Sequence, residues 1–302
     1  MTGVIGVVLA REGGTYRVLV DGLERQAVLR GKAKRETERA VAGDRVRLDA
    51  ATLTEDVIGI DAVEPRSSLL ERRIPGGRGT RPVAANVDQV LVVMAAADPA
   101  PVPQLLDRLL VVAEANDIPV SVVINKADLA GVDGIRAHLA ATGYDVLATA
   151  AKRGDGIEAL RARLTNKESV FTGPSGAGKS SLMNALEPGL GLRIGAVSAK
   201  LGRGTHTTVS AVMIPLAMGG FVVDTPGFSD VGMWAIDRAH LDECFPELRP
   251  VIGDCKFDDC THRTEPACAI RALIDNGVVP NTRYETYLAL FAELAELPEE
   301  WQ

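Results

Sequence analysis

No apolar run in the sequence approaches the roughly 20 residues that a membrane-spanning helix needs. The run Val90-Leu91-Val92-Val93-Met94 is short enough to read as a buried strand. There is also no N-terminal basic segment leading into an apolar stretch and a cleavage site. These two absences predict a cytoplasmic protein with no membrane partner. Cysteine is scarce, four in 302 residues, which excludes a disulfide scaffold at this length. Positive charge is not in excess: the net charge is −7, so no global basic field draws the chain to nucleic acid, and any RNA contact must use local patches.

The residues that are present are organised around Gly173-Pro174-Ser175-Gly176-Ala177-Gly178-Lys179-Ser180, a G-x-x-x-x-G-K-S phosphate loop. Glycines let backbone N–H groups turn toward a polyphosphate, Lys179 supplies a point charge for the β- and γ-phosphates, and the Ser180 hydroxyl is a Mg²⁺ ligand. Residues 168–172 read as a strand entering the loop. Ser181 opens the apolar helical run that leaves it, placing a positive helix end at the phosphates.

Asn125-Lys126-Ala127-Asp128 comes directly after an apolar strand-like run at residues 119–124. An Asp carboxylate at this place accepts from the N1–H and exocyclic N2–H of guanine, a donor pair that adenine lacks. Asn125 is placed for the purine's far edge and the Lys126 stem for its face. Thr149-Ala150-Ala151-Lys152, after the next strand, is a weaker signal for backbone contact with the base. Downstream of the phosphate loop, the glycine-rich segment at residues 200–208 offers Thr207 and Thr208 as Mg²⁺ ligands that sense the γ-phosphate, without deciding between them. Asp224-Thr225-Pro226-Gly227 comes after another strand; Asp224 can hold Mg²⁺ through a water and the Gly227 N–H can reach the γ-phosphate.

These parts occur in an unusual order. Ras-like GTPases run phosphate loop, switch Thr, D-x-x-G, N-K-x-D, whereas here N-K-x-D comes first. One pocket still forms if the usual termini are joined and the chain is opened elsewhere. The expected fold is therefore α/β, a circularly permuted P-loop GTPase domain with a doubly wound parallel sheet. Its chain exit, just after Asp224-Thr225-Pro226-Gly227, ties the C-terminal residues mechanically to the nucleotide-sensing switch.

Those C-terminal residues carry the pattern C-x₄-C-x-H-x₅-C. Cys255, Cys260, His262 and Cys268 are a set able to close a tetrahedral Zn²⁺ site from one compact loop. Cys244, among apolar neighbours, reads as a small buried hydrophobe instead of a fifth ligand. Helices are expected at residues 269–276 and 283–296, the latter with Tyr287, Leu288, Leu290, Phe291 and Leu294 on an apolar face. At the other end, five short β-type runs within residues 1–68 suit a small barrel; an OB-fold is the natural candidate and an SH3-like barrel fits the pattern too. Lys32, Lys34, Arg35 and Arg39 cluster in one of its loops beside Glu36 and Glu38, and serve equally as an RNA contact or a solvated loop. The expected domains are an OB-fold barrel at 1–68, a flexible basic linker at 69–85, the permuted GTPase domain at 86–240 and a small zinc-binding α-rich domain at 241–302.

Taken together, these motifs in this order resemble the ribosome small-subunit-dependent GTPases, the RsgA (YjeQ/YloQ) family, over nearly the whole chain. The resemblance implies hydrolysis of GTP to GDP and phosphate stimulated by the small ribosomal subunit, contact with its rRNA, a role in late maturation of that subunit, one structural Zn²⁺ per chain, Mg²⁺ with GTP, and a monomer. The net charge is unhelpful for rRNA binding, which puts weight on the arginine-rich stretch 66–81 and the barrel loops. Ras-like enzymes place a water-positioning Gln after D-x-x-G; Phe228 stands there and cannot orient water. His206 is the candidate to do so, with an RNA or structural contact as its other reading. Two other classes stay open at this level. A small-molecule kinase would share the phosphate loop without needing Asn125 to Asp128. A pure RNA-binding factor would use nucleotide only as a switch.

Overall fold

A computed structural model of the chain describes residues 3–31, 40–73, 80–190, 211–224 and 236–296. His206, Thr207, Thr208, Gly227, Phe228 and the basic cluster from Lys32 to Arg39 lie outside the described residues.

The N-terminal strands are β1 (Val4–Glu12), β2 (Thr15–Val20), β3 (Leu23–Leu29), β4 (Arg45–Leu48) and β5 (Val57–Val63). They run in the order β1-β2-β3-β5-β4, and β4 pairs back onto β1 to close the barrel. The apolar residues alternate inward, as a two-residue period requires: Tyr16, Val18 and Val20 of β2 are buried against Ala27, Val46, Leu48, Ile58 and Ile60. This closed five-stranded barrel is of the OB type.

Residues 69–85, expected as a flexible linker, contain a two-stranded antiparallel ribbon of β6 (Leu69–Arg73) and β7 (Thr80–Ala85). Arginines dominate the composition there and mask the strand signal. Pro82 is tolerated because the ribbon consists only of edge strands.

The central domain alternates β8 (Gln89–Ala95), α1 (Pro103–Glu114), β9 (Val120–Asn125), α2 (Asp133–His138), β10 (Val146–Ala148), α3 (Ile157–Leu164), β11 (Glu168–Thr172), α4 (Lys179–Leu186), β12 (Val212–Pro215) and β13 (Phe221–Asp224). The spatial order is β10-β9-β8-β11-β13-β12, parallel except for β12. Every residue of β8 is buried, the mark of a strand covered on both faces. Its side chains still alternate: Val90, Val92 and Met94 pack with α1, and Leu91 and Val93 pack with α3 and α4. β12, not among the strands expected from the sequence, also pairs with β1 at Ala10↔Val212, so barrel and central sheet are one continuous eleven-stranded sheet.

The C-terminal module has 3₁₀ turns at Arg238–His240, Asp242–Cys244 and Arg249–Val251, then α5 (Ala269–Asp275) and α6 (Asn281–Glu296). Arg283 of α6 is wholly buried, and its guanidinium donates to Glu247 Oε1 and Asp107 Oδ1, each at 2.6 Å. His138 Nε2 meets the same Asp107 oxygen at 2.8 Å. This network fastens α6 to α1 and α2.

Candidate functional site

The polar motifs converge at the carboxyl ends of the parallel strands, where open α/β sheets bind ligands. β11 delivers the phosphate loop at the centre of the sheet, β9 delivers Asn125 to Asp128 beyond β8, and β13 delivers Asp224 on the other side. Motifs far apart in the chain are thus neighbours in space.

At two places in the loop a neighbour comes too close for any side chain. Gly173 has φ +141°, and a Cβ there would lie 2.0 Å from the carbonyl oxygen of Val93. Gly178 has φ +93°, and its Cβ would lie 2.2 Å from Nδ2 of Asn125. That second approach exists because Asn125 Nδ2 donates to the carbonyl of Ala177 at 3.1 Å. The Asn125 Oδ1 in turn accepts from the Ala151 N–H at 3.1 Å and the Thr149 hydroxyl at 3.3 Å. One buried amide therefore joins the phosphate loop, the Asn125–Asp128 turn and the Thr149–Lys152 loop. Asp128 is exposed and Lys126 half-buried; the Lys126 ammonium donates to the carbonyl of Asp98, and the neighbouring Pro99 packs near Gly176. Ala127 donates its N–H to the Thr149 carbonyl.

Lys179 opens α4, and its ammonium donates to the carbonyls of Gly173 and, at 3.2 Å, Pro174. Burial lowers its pKa, opposed by the charge of Asp224. Burial likewise pushes the Asp224 carboxyl up to about 6, against the pull of Lys179. Asp224 is held in register opposite Phe171, two residues before the phosphate loop begins. Ser175 is exposed on the loop, and Ser180 and Ser181 are half-buried on the first turn of α4. The arrangement brings the glycine-rich loop, one ammonium, three serine hydroxyls and one carboxylate to the carboxyl ends of neighbouring strands.

The cysteine–histidine cluster is also assembled. One ligand atom from each of Cys255, Cys260, His262 and Cys268 lies within 4.8 Å of the others. His262 turns Nδ1 to the sulfurs of Cys255 and Cys268, at 3.5 and 3.4 Å, and Nε2 to Asp242 at 3.2 Å. A carboxylate behind the second ring nitrogen fixes the tautomer that leaves Nδ1 free to bind a metal. Three thiols and one imidazole at this spacing fit a metal ion. Cys244 is buried away from the cluster beside apolar neighbours, and burial pushes its thiol up to about 12.

Sequence reasoning misses Asp242, the Asp98–Pro99 wall and the Arg283 network. None of them carries a signal in the sequence, because their partners are distant in the chain; Asp242 meets a histidine twenty residues further on.

Comparison with known proteins agrees with this geometry. A family model described as RsgA GTPase matches residues 63–234. A protein of Gemmatimonas aurantiaca named small ribosomal subunit biogenesis GTPase RsgA is 47% identical over 301 residues, covering 97% of this chain and 98% of that one. A protein of Moorella thermoacetica with the same name is 42% identical, covering 96% and 97%. Among solved structures, YjeQ from Thermotoga maritima superposes with a TM-score of 0.80 at 32% identity, over 98% of this chain and all of that one. YloQ, described as a circularly permuted GTPase, superposes with a TM-score of 0.78 at 29% identity, over 99% and 97%.

Proposed function

This chain belongs to the RsgA GTPase family and is a GTP hydrolase, and on that footing we propose that it acts as a monomer in the cytoplasm, hydrolysing GTP to GDP and phosphate when it engages the small ribosomal subunit and its rRNA late in that subunit's maturation. The observation that supports this reading is the Asn125 amide, which hydrogen-bonds the phosphate loop at Ala177 and the Thr149–Lys152 loop at Ala151.

In that pocket Asp128 accepts from the guanine N1–H and N2–H, and Lys126 covers the base. Gly173 to Gly178 give backbone N–H groups to the phosphates, and Lys179 leaves the carbonyls of Gly173 and Pro174 to meet the β- and γ-phosphates. Ser180, joined by Thr207 or Thr208 and, through a water, by Asp224, would hold Mg²⁺, and the ion would supply positive charge to offset that of the transferring phosphoryl group. Ser181 adds a contact at the helix start and Gly227 one at the γ-phosphate. Since Phe228 stands where a water-positioning Gln is found in Ras-like enzymes, intrinsic hydrolysis is slow, and His206 orients the water once the subunit is bound. Zn²⁺ held by Cys255, Cys260, His262 and Cys268 would be structural, since four protein ligands would leave no open position for substrate.

The deciding experiment measures GTP turnover with isolated small subunits, with large subunits and with neither. Stimulation by small subunits alone is expected; equal rates in all three would overturn the reading. For His206, the His206→Ala chain should bind GTP normally and lose the stimulated rate. An unchanged stimulated rate removes His206 from the mechanism.

A further inference from the structure

The strand beside the phosphate loop, β8, leads through residues 96–102 into α1, and this lead-in touches both the base motif and the phosphate loop. The Ala96 N–H donates to the carbonyl of Asn125 at 2.8 Å, and the Lys126 ammonium donates to the carbonyl of Asp98. Asp98 and Lys126 both hold left-handed backbone, at φ +47° and +59°, which residues with side chains adopt at a cost. On the other side Pro99 seats against the phosphate loop: a Cβ at Gly176 would lie 3.1 Å from Pro99 Cδ.

Beyond the lead-in, α1 is a largely buried rod. Its twelve residues span about 18 Å, and Leu106, Asp107 and residues 109–113 are all buried. Three of its side chains are tied to the C-terminal module. Asp107 accepts from Arg283 at 2.6 Å. Arg108 donates to Glu293 Oε1 at 2.9 Å and also to Oε2. Glu114, at the far end of the helix, accepts from Arg249 at 2.6 Å. These pairs fix where α1 lies, and a close-packed interior leaves no slack to absorb a shift between the helix and its lead-in.

We propose that α1 and its Asp98–Pro99 lead-in are the positioning element through which docking of the C-terminal module sets the affinity for guanine nucleotide. The Asp98 carbonyl anchors the Lys126 ammonium so that the stem lies along the base, and Pro99 buttresses the phosphate loop at Gly176. Nucleotide therefore binds best when the lead-in is seated, and the module seats it by holding α1. A ligand that pulls the module off α1 loosens GDP without touching the pocket, and bound GDP tightens the module by the same factor. This route is separate from the chain exit after Asp224. It rests on the nucleotide pocket assigned above.

The test titrates the full-length chain with methylanthraniloyl-GDP, and far-ultraviolet circular dichroism reports that each variant is folded. Pro99→Gly should weaken binding about fivefold or more. Arg108→Glu and Glu293→Arg should each weaken it about threefold, and the double swap should restore the parent value. The two reversals change net charge in opposite directions, so bulk electrostatics cannot weaken both. In hydrogen exchange, saturating GDP should slow exchange over residues 281–296 of the parent and not of Pro99→Gly. Unchanged affinity in both reversals, or no rescue by the swap, would overturn the proposal. So would GDP protection of residues 281–296 that persists in Pro99→Gly, which would assign the coupling to the chain exit. Asp128→Asn tests the pocket itself: lost affinity is expected, and full affinity would overturn that reading and this proposal together.

Discussion

Arg283 and Asp107 are 176 residues apart in sequence, yet their buried side chains meet at 2.6 Å. Asp107 belongs to α1, the helix after the strand beside the phosphate loop, and Arg283 to the helix that backs the metal cluster. Tyr284 and Tyr287, on the same helix as Arg283, donate to the carbonyls of His262 and Thr261. The metal loop is thus anchored to the nucleotide domain through one helix.

Replacing Arg283 with Met leaves Asp107 and Glu247 buried without their cation. Stability to urea should fall by about 3–5 kcal/mol, because an uncompensated buried charge is far costlier than the pair is beneficial. A loss under about 1 kcal/mol would mean that water or a neighbour takes over the charge.

Asn125→Ala removes the donor to Ala177 and the acceptor for Ala151. Stranding the buried Ala177 carbonyl and the half-buried Ala151 N–H costs about 1–3 kcal/mol, which should appear as roughly tenfold or greater loss of GTP affinity in equilibrium titration. Unchanged affinity would show that the phosphate loop keeps its shape without this cross-link.

Stability should also depend on pH through Glu168. Its carboxyl is pushed up to about 7 by burial, opposed by Arg45 of the barrel and reinforced by Asp88. A raised carboxyl pKa means that the fold binds a proton the unfolded chain releases between about pH 4.5 and 7. The stabilisation is full below that window and is lost as pH rises through 7. Glu168→Gln should therefore flatten the decline in unfolding free energy between about pH 5 and 8. An identical decline in parent and variant would assign it to other groups.

Chelation of the metal should unfold the C-terminal module and expose its tyrosines, with one Zn²⁺ released per chain, read by a colorimetric zinc assay alongside near-ultraviolet circular dichroism. Cys260→Ala should behave as the chelated protein does. Asp242→Asn should keep the metal but bind it about 10–100-fold less tightly, as expected for a partner behind the ligand.

The motifs that chemistry requires are legible because each is local. Gly173 to Ser180, Asn125 to Asp128 and Cys255 to Cys268 carry their meaning in spacing, and their reversed order already implies the permuted sheet. Strand periodicity likewise reveals the barrel, although only the closing pair β1–β4 and the parallel pair β3–β5 separate its topology from other small barrels. Long-range partners leave no mark. Nothing near Val212 announces Ala10, and nothing near Arg283 announces Asp107. The ribbon at residues 69–85 is hidden for a different reason: its arginines and glycines resemble a solvated connection, and only pairing reveals the strands.

The seam between Ala10 and Val212 has a practical consequence for anyone cutting this molecule apart. Without the barrel, the Val212 end of β12 would lose its pairing with Ala10, leaving all of Val212–Pro215 open along the margin of the nucleotide-binding half, a template on which identical copies stack. A truncated protein made to isolate catalysis should therefore come out of cells as aggregate, whereas one trimmed only after α6 should stay in solution.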